Sequence, residues 1–201
     1  MARNANYRVQ LRRRREGKTD YQARKNLVIS GKLRLVTRGS LKNATVQIIR
    51  AKPEGDFVLV AANSNELSKQ FGWKAPTGNI PAAYLTGLLC GLKAKKHGGV
   101  KEAILDAGLV SPTKGARIFA MLSGVVDAGI DVPFSEDKLV KERIKGEQVA
   151  KYAKKLGADS DEYHQKFATY IKAGIAPEKL PEHFAQVKAD MIASFKGEKK
   201  E

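Results

Sequence analysis

The 201-residue sequence contains a single cysteine, Cys90, so it can form neither an internal disulfide nor a cysteine-based zinc cluster. Cys90 lies in an apolar helical run, where a buried and inert thiol is expected, in keeping with a reducing compartment. Long hydrophobic stretches are lacking too. The longest, Ile80 to Leu92, is interrupted by Thr86, Gly87 and Gly91 and is too short to span a bilayer. No apolar stretch follows the first basic residues, so no secretory signal is expected and the chain reads as soluble and intracellular. His97, His164 and His183 are far apart without metal-ligand spacing, and all three read as surface positions. Neither a phosphate-binding Gly-rich loop nor a dinucleotide fingerprint is present, since Gly87 to Lys93 falls within a helix at the wrong spacing. No metal, cofactor or small-molecule substrate is expected.

Acids are scarce where bases are dense. Residues 1–50 hold 14 Lys+Arg against Glu16 and Asp20 alone, which places +12 of the net +16 in the first quarter of the chain. The remainder, with 23 bases and 19 acids, carries only +4. A charge distribution this lopsided points to a polyanion, either nucleic acid or an acidic membrane surface. With 42% hydrophobic residues the chain can also bury a core.

Residues 1–26 read as a basic arm with sparse, aperiodic apolar residues, peaking at Arg12-Arg13-Arg14-Arg15. A short helix from Asp20 to about Leu27 is expected, with Thr19 as its cap. From Leu33 the pattern has period two, with Leu33, Leu35 and Thr37 on one side and Arg34, Val36 and Arg38 on the other. Turns at Gly39-Ser40 and at Pro53-Glu54-Gly55-Asp56 lead to strands at Ala44 to Ala51 and Phe57 to Ala61. In this antiparallel meander Thr45 and Gln47 share a polar face with Arg34 and Arg38, a face open to RNA.

Helices follow. Asn63 or Ser64 caps a short one through Phe71, and Trp73 packs near Pro76-Thr77-Gly78. Asn79 caps a long one with Pro81 in its first turn, ended by Gly98-Gly99. That helix is apolar nearly all round, and Gly87 and Gly91 allow another backbone to approach it closely. Ala103-Ile104-Leu105 is a short buried strand, which implies a crossover and a mixed sheet. Further helices are expected at Lys114 to Asp127, over 136–157 with Ile144, Val149, Tyr152 and Leu156 inward, from Ser160 to Ala173, and from Pro181 to about Phe195. The end, Lys196 to Glu201, is expected to fray. The organisation is an arm (1–26), an α/β core (27–135) and a helical C-terminal extension (136–201).

Several chemistries compete for these residues. Asp106 follows a buried strand, where a magnesium-dependent nuclease would place a carboxylate, but the first strand offers no companion acid. Asp127 and Asp131 read equally well as helix-end and turn residues. A membrane-surface role needs a buried apolar face that the arm lacks. RNA remains the better partner. Arg12, Arg13, Arg14 and Arg15, supported by Arg3, Arg8, Lys18, Arg24, Lys25, Arg34 and Arg38, form its expected contacts, because guanidiniums bridge phosphates and base edges. Tyr7 and Tyr21 lie among them and suit stacking on an unpaired base, although Tyr21 reads equally as a core residue.

The run Arg12-Arg13-Arg14-Arg15-Glu16-Gly17-Lys18-Thr19-Asp20-Tyr21, followed by Ala23-Arg24, resembles the signature of the large-subunit ribosomal protein eighteen family. Ala83-Tyr84 to Leu89, Leu105-Asp106-Ala107-Gly108-Leu109, Val126-Asp127-Ala128-Gly129 through Ile130 to Pro133, and Tyr163 to Lys172 agree with it as well. The resemblance implies a three-layer α/β/α core of RNase H-like type. It further implies a non-catalytic role attaching 5S rRNA to large-subunit rRNA at the central protuberance, beside neighbouring large-subunit ribosomal proteins there. Compared with eukaryotic members the chain lacks a long insertion and a basic tail, and its Lys/Glu-rich helices suggest an archaeal source.

Overall fold

A computed structural model describes residues 7–157 and 160–197. The expectation for Arg3 lies outside the described residues, as does that for the His97 side chain and for the tail from Glu198.

Alternating side chains in the first half build a four-stranded sheet in the order β3-β2-β1-β4, from β1 (Arg34–Gly39), β2 (Ala44–Lys52), β3 (Gly55–Asn63) and β4 (Ile104–Asp106). The first three strands form the expected antiparallel meander, and β4 joins β1 in parallel, so the sheet is mixed. Leu35 and Thr37 pair with Ile48 and Val46, and all four are fully buried on the face that carries the helical core. The register places Arg34, Arg38, Thr45 and Gln47 together on the other face, as the alternation predicts.

The core face is covered by α4 (Ile80–Gly98) and α5 (Arg117–Asp127). The Asn79 side chain caps α4 by accepting from Ala82 N–H, Pro81 occupies its first turn, and left-handed Gly99 ends it. Residues 81–91 of α4 are all buried, because sheet, α5 and the C-terminal helices surround it. Glycines set the α4–α5 distance. A Cβ on Gly87 would fall 1.9 Å from the Met121 carbonyl oxygen, and one on Gly124 would fall 2.2 Å from that of Tyr84. Gly124 carries as much of this contact as the Gly87 and Gly91 pair.

Before the sheet come α1 (Arg12–Arg15) and α2 (Tyr21–Ile29); α3 (Ser64–Gln70) follows β3 and is opened by a capping box between Asn63 and Glu66. The α2 cap is Asp20, not Thr19: the Asp20 carboxylate accepts from the Gln22 and Ala23 amides, whereas the Thr19 hydroxyl accepts from Arg13. Helix α2 turns its less exposed side, Tyr21, Arg24 and Leu27, toward the second sheet face, giving a layer of helix on each side of the sheet.

Several helices after the sheet are shorter than their periodicity predicts, although the last one is not. Helix α5 starts at Arg117 rather than Lys114, because Gly115 has φ +73°. The continuous helix expected over 136–157 is instead a 3-10 turn (Glu136–Lys138), α6 (Lys141–Lys145) and α7 (Glu147–Leu156). Gly146, at φ +80°, breaks it, and a Cβ there would meet Leu180 at 2.8 Å. Ala150 and Ala153 are the buried residues of α7, while Tyr152, expected inward, is exposed. The next segment also divides, into α8 (Asp161–Lys166), capped by Ser160 as expected, and α9 (Ala168–Lys172), with Phe167 buried between Tyr163 and Tyr170. Last comes α10 (Leu180–Gly197), whose Leu180, Phe184, Val187 and Met191 join the same hydrophobic core as the sheet.

Candidate nucleic-acid interface

Helix α1 has no buried residue, so its four arginines stand in solvent, ended by Gly17 at φ +62°. Arg12 pairs with Glu16 at 3.0 Å, Lys18 pairs with the same carboxylate at 2.9 Å, and the Arg13 Nε donates to Thr19 at 2.9 Å. One acid thus serves two of the cations here, and exposed pairs of this kind contribute little to stability. Tyr7, Arg8 and Lys25 are also exposed. Among the described residues, α1 is a surface on which most of the positive charge is left for an external anion.

Behind it the arrangement changes. Arg24, Arg34 and Arg38 alternate with two acids in a chain that runs from α2 across the sheet. Arg24 pairs with Asp56 at 2.8 Å, and Arg34, 1% exposed, approaches Asp56 at 2.6 Å and Asp106 at 3.0 Å. Arg38 completes the chain, donating to Asp106 at 2.8 Å and to the Asp106 carbonyl at 2.7 Å. The burial of Asp56 pushes its carboxyl up, but the Arg34 and Arg24 guanidiniums outweigh this and hold it below its ordinary value. Asp56, which the sequence presents as a turn residue, lies in β3 and holds α2 to the sheet.

This geometry sorts the expected contacts. Arg34, expected at the RNA face, is instead enclosed as a buried ion between two carboxylates, which offset its desolvation. Arg24 is largely committed to Asp56, while Arg38 is about half exposed. Tyr21 is partly buried beneath α2 and, with Arg13, Lys18 and Arg38, lines an open cleft of about 930 Å³ between α1–α2 and the end of β4. Asp106 is neutralised by two arginines, and no group of three or more His, Cys, Asp or Glu that could hold a metal ion occurs among the described residues.

The remaining reactive groups are structural. Burial pushes the Cys90 thiol up to about 12. Burial, and then the neighbouring Asp127, raise the Tyr84 phenol well above its ordinary value. Its hydroxyl lies between Asp127 and Lys188, tying α10 to α4 and α5. His183, expected on the surface, is half-buried: it stacks on Trp73 at 5.0 Å and accepts from the Lys74 amide at 3.2 Å. His164 is exposed, as expected. No helix among the described residues is long and apolar enough to cross a membrane.

The sequence matches the family described as "Ribosomal large subunit proteins 60S L5, and 50S L18" over residues 5–103 and 93–135. It is similar to the "Large ribosomal subunit protein uL18" of Methanococcus maripaludis, with 52% identity over 194 residues, which cover 96% of this chain and 99% of that relative. Its mixed sheet with helices on both faces is in accord with the three-layer fold expected from the sequence. Its partners are therefore rRNA and other ribosomal proteins, its place is the cytoplasmic ribosome, and it is not an enzyme. The chain belongs to this family of large-subunit ribosomal proteins, as an archaeal-type member with a structural role in the large subunit.

Proposed function

We propose that the protein binds 5S rRNA through its N-terminal arm and helps attach it to large-subunit rRNA at the central protuberance. The observation that carries this reading is the contrast between the solvent-facing arginines of α1 and the carboxylate-neutralised arginines beneath them. Phosphate is the natural counter-ion for four adjacent guanidiniums that have a single carboxylate nearby. Residues 1–26 are the RNA-gripping arm, 27–135 the core that sets its starting point, and 136–201 a helical extension. Arg3, Tyr7, Arg8, Arg12, Arg13, Arg14, Arg15, Lys18 and Lys25 make the principal contacts. Arg38 and Tyr21 contribute from the cleft, and Arg24 and Arg34 act by holding α2 in place. The test is binding of 5S rRNA by the full chain over a series of salt concentrations. Each phosphate contact adds about 0.7 to 0.9 to the log–log slope, so a steep fall in affinity is expected, and a flat profile would remove the electrostatic basis of the reading.

A further inference from the structure

The C-terminal extension has its own concentration of positive charge. Residues 138–155 hold seven bases, Lys138, Lys141, Arg143, Lys145, Lys151, Lys154 and Lys155, against Glu142 and Glu147, a net +5. Residues 156–201, with seven bases and eight acids, net −1. All but Lys138 of these bases sit on α6 and α7, so the excess is not a property of the extension as a whole.

The fold turns this excess into a surface. On α7, Ala150 and Ala153 are buried against the core, so Lys151, Tyr152, Lys154 and Lys155 occupy an outward arc of about 160° at ~100° per residue. Lys151 reaches Glu142 at 3.3 Å, whereas Lys154 and Lys155 have no ionic partner among the described residues. At the edge of the arc Tyr152 is 41% exposed. Its ring rests on Phe167 at 6.1 Å, and Lys166 of α8 lies over it at 5.3 Å while donating to its hydroxyl at 2.6 Å. A half-exposed aromatic held in place among lysines is suited to a sugar or an unpaired base beside a phosphate backbone. A merely solvated lysine face does not require such a ring.

We infer that the outward face of α7, formed by Lys151, Tyr152, Lys154 and Lys155 with Lys166, is a second RNA-binding surface, which takes a segment of large-subunit rRNA while the arm takes 5S rRNA. The division of labour rests on the function proposed above; the surface itself stands on α7 and on Lys166 of α8. Two basic surfaces, one on the N-terminal arm and one on α7, allow a single small protein to hold two RNAs together.

Two variants of the full chain separate this inference from the arm reading. One carries K151Q, Y152A, K154Q and K155Q; the other carries R12A, R13A, R14A and R15A. Binding to 5S rRNA and to large-subunit rRNA is measured separately over a salt series, with helicity and melting temperature checked on the same samples. The α7 variant is expected to lose tenfold or more in affinity for large-subunit rRNA, with a slope flatter by about 2 to 3, and to hold 5S rRNA within twofold. The arm variant is expected to show the reverse. If the α7 variant binds both RNAs as the parent does, the inference is overturned, including the case in which it loses only a contact to an acidic ribosomal protein. An arm variant that keeps its 5S affinity would instead overturn the function proposed above and leave the α7 surface standing. Should the α7 variant fold poorly, ultraviolet cross-linking of the unaltered protein in assembled large subunits decides: Tyr152 joined to large-subunit rRNA supports the inference, and no adduct on α7 refutes it.

Discussion

Arg34 and Asp106 face each other across the parallel pair β1–β4, with Nη1 and Oδ2 3.0 Å apart and both residues buried. Their sequence separation is 72 residues, so the pair exists only once the crossover through α3 and α4 is complete. Asp106 holds Arg38 as well, which makes it a hinge of charge in this corner of the sheet.

Replacing Asp106 with Ala is expected to destabilise the fold by about 3–5 kcal/mol, since it strands the buried Arg34 charge. Asp106→Asn retains an acceptor oxygen and is expected to cost less. Urea unfolding of both variants measures this, and an Ala variant as stable as the parent would mean that water compensates Arg34.

The arm and the sheet arginines are expected to separate cleanly. The quadruple arm variant should keep the parent melting temperature yet lose on the order of a hundredfold or more in 5S rRNA affinity, because 1.4 kcal/mol is tenfold. Its salt slope should flatten by roughly 3 to 4. Arg34→Ala should do the opposite, lowering the melting temperature first. Loss of fold in the arm variant would show that α1 supports the core.

Gly124→Ala tests the α4–α5 contact. The added Cβ would lie 2.2 Å from the Tyr84 carbonyl and 2.6 Å from Leu88 N, backbone atoms that cannot yield without moving a helix. A loss of at least about 1–3 kcal/mol is expected despite the better helix propensity of Ala. A neutral result in urea unfolding would show that the helices can separate freely.

His183 gives the fold a pH dependence of defined sign. Burial, then the nearby Lys74, lowers its pKa, so the unfolded chain takes up the proton first as pH falls. Stability is thus full above the ordinary histidine pKa of about 6.5 and declines below it toward the depressed folded value. The melting temperature should fall between pH 7.5 and 5 by more in the parent than in His183→Phe, which keeps a ring against Trp73. Equal falls would assign the effect elsewhere. The lowered Asp56 carboxyl adds a separate loss that begins only near its unfolded value of about 4.

Local chemistry made much of this legible in the sequence. Asn79, Pro81 and Gly99 bound α4 because caps act over one helical turn. The period-two run placed Arg34 and Arg38 on one face because alternation is a property of any extended chain. The charge of the first fifty residues, and with it a polyanionic partner, is composition alone. The cap of α2 was not decidable locally, because Thr19 and Asp20 are both good caps; in the fold Asp20 takes the Gln22 and Ala23 amides and the Thr19 hydroxyl accepts from Arg13.

Tertiary structure decided the fate of each charge. An arginine buried between carboxylates becomes part of the scaffold, whereas one that stays exposed remains available to a phosphate even where, like Arg12, it has an acid beside it; no arginine's own type tells which it will be. The difference is made by Asp56 and Asp106, which are brought to Arg34 by strand pairing and a crossover. The same holds for the break at Gly146, where Leu180 occupies the space a side chain would need, and for Tyr152, which faces outward because Ala150 and Ala153 fit the core more closely. Sequence fixes what each segment can form alone, since caps, alternation and composition act within a few residues. Which side chains are spent and which are left over depends on contacts between segments far apart in the chain, and only the folded arrangement supplies those.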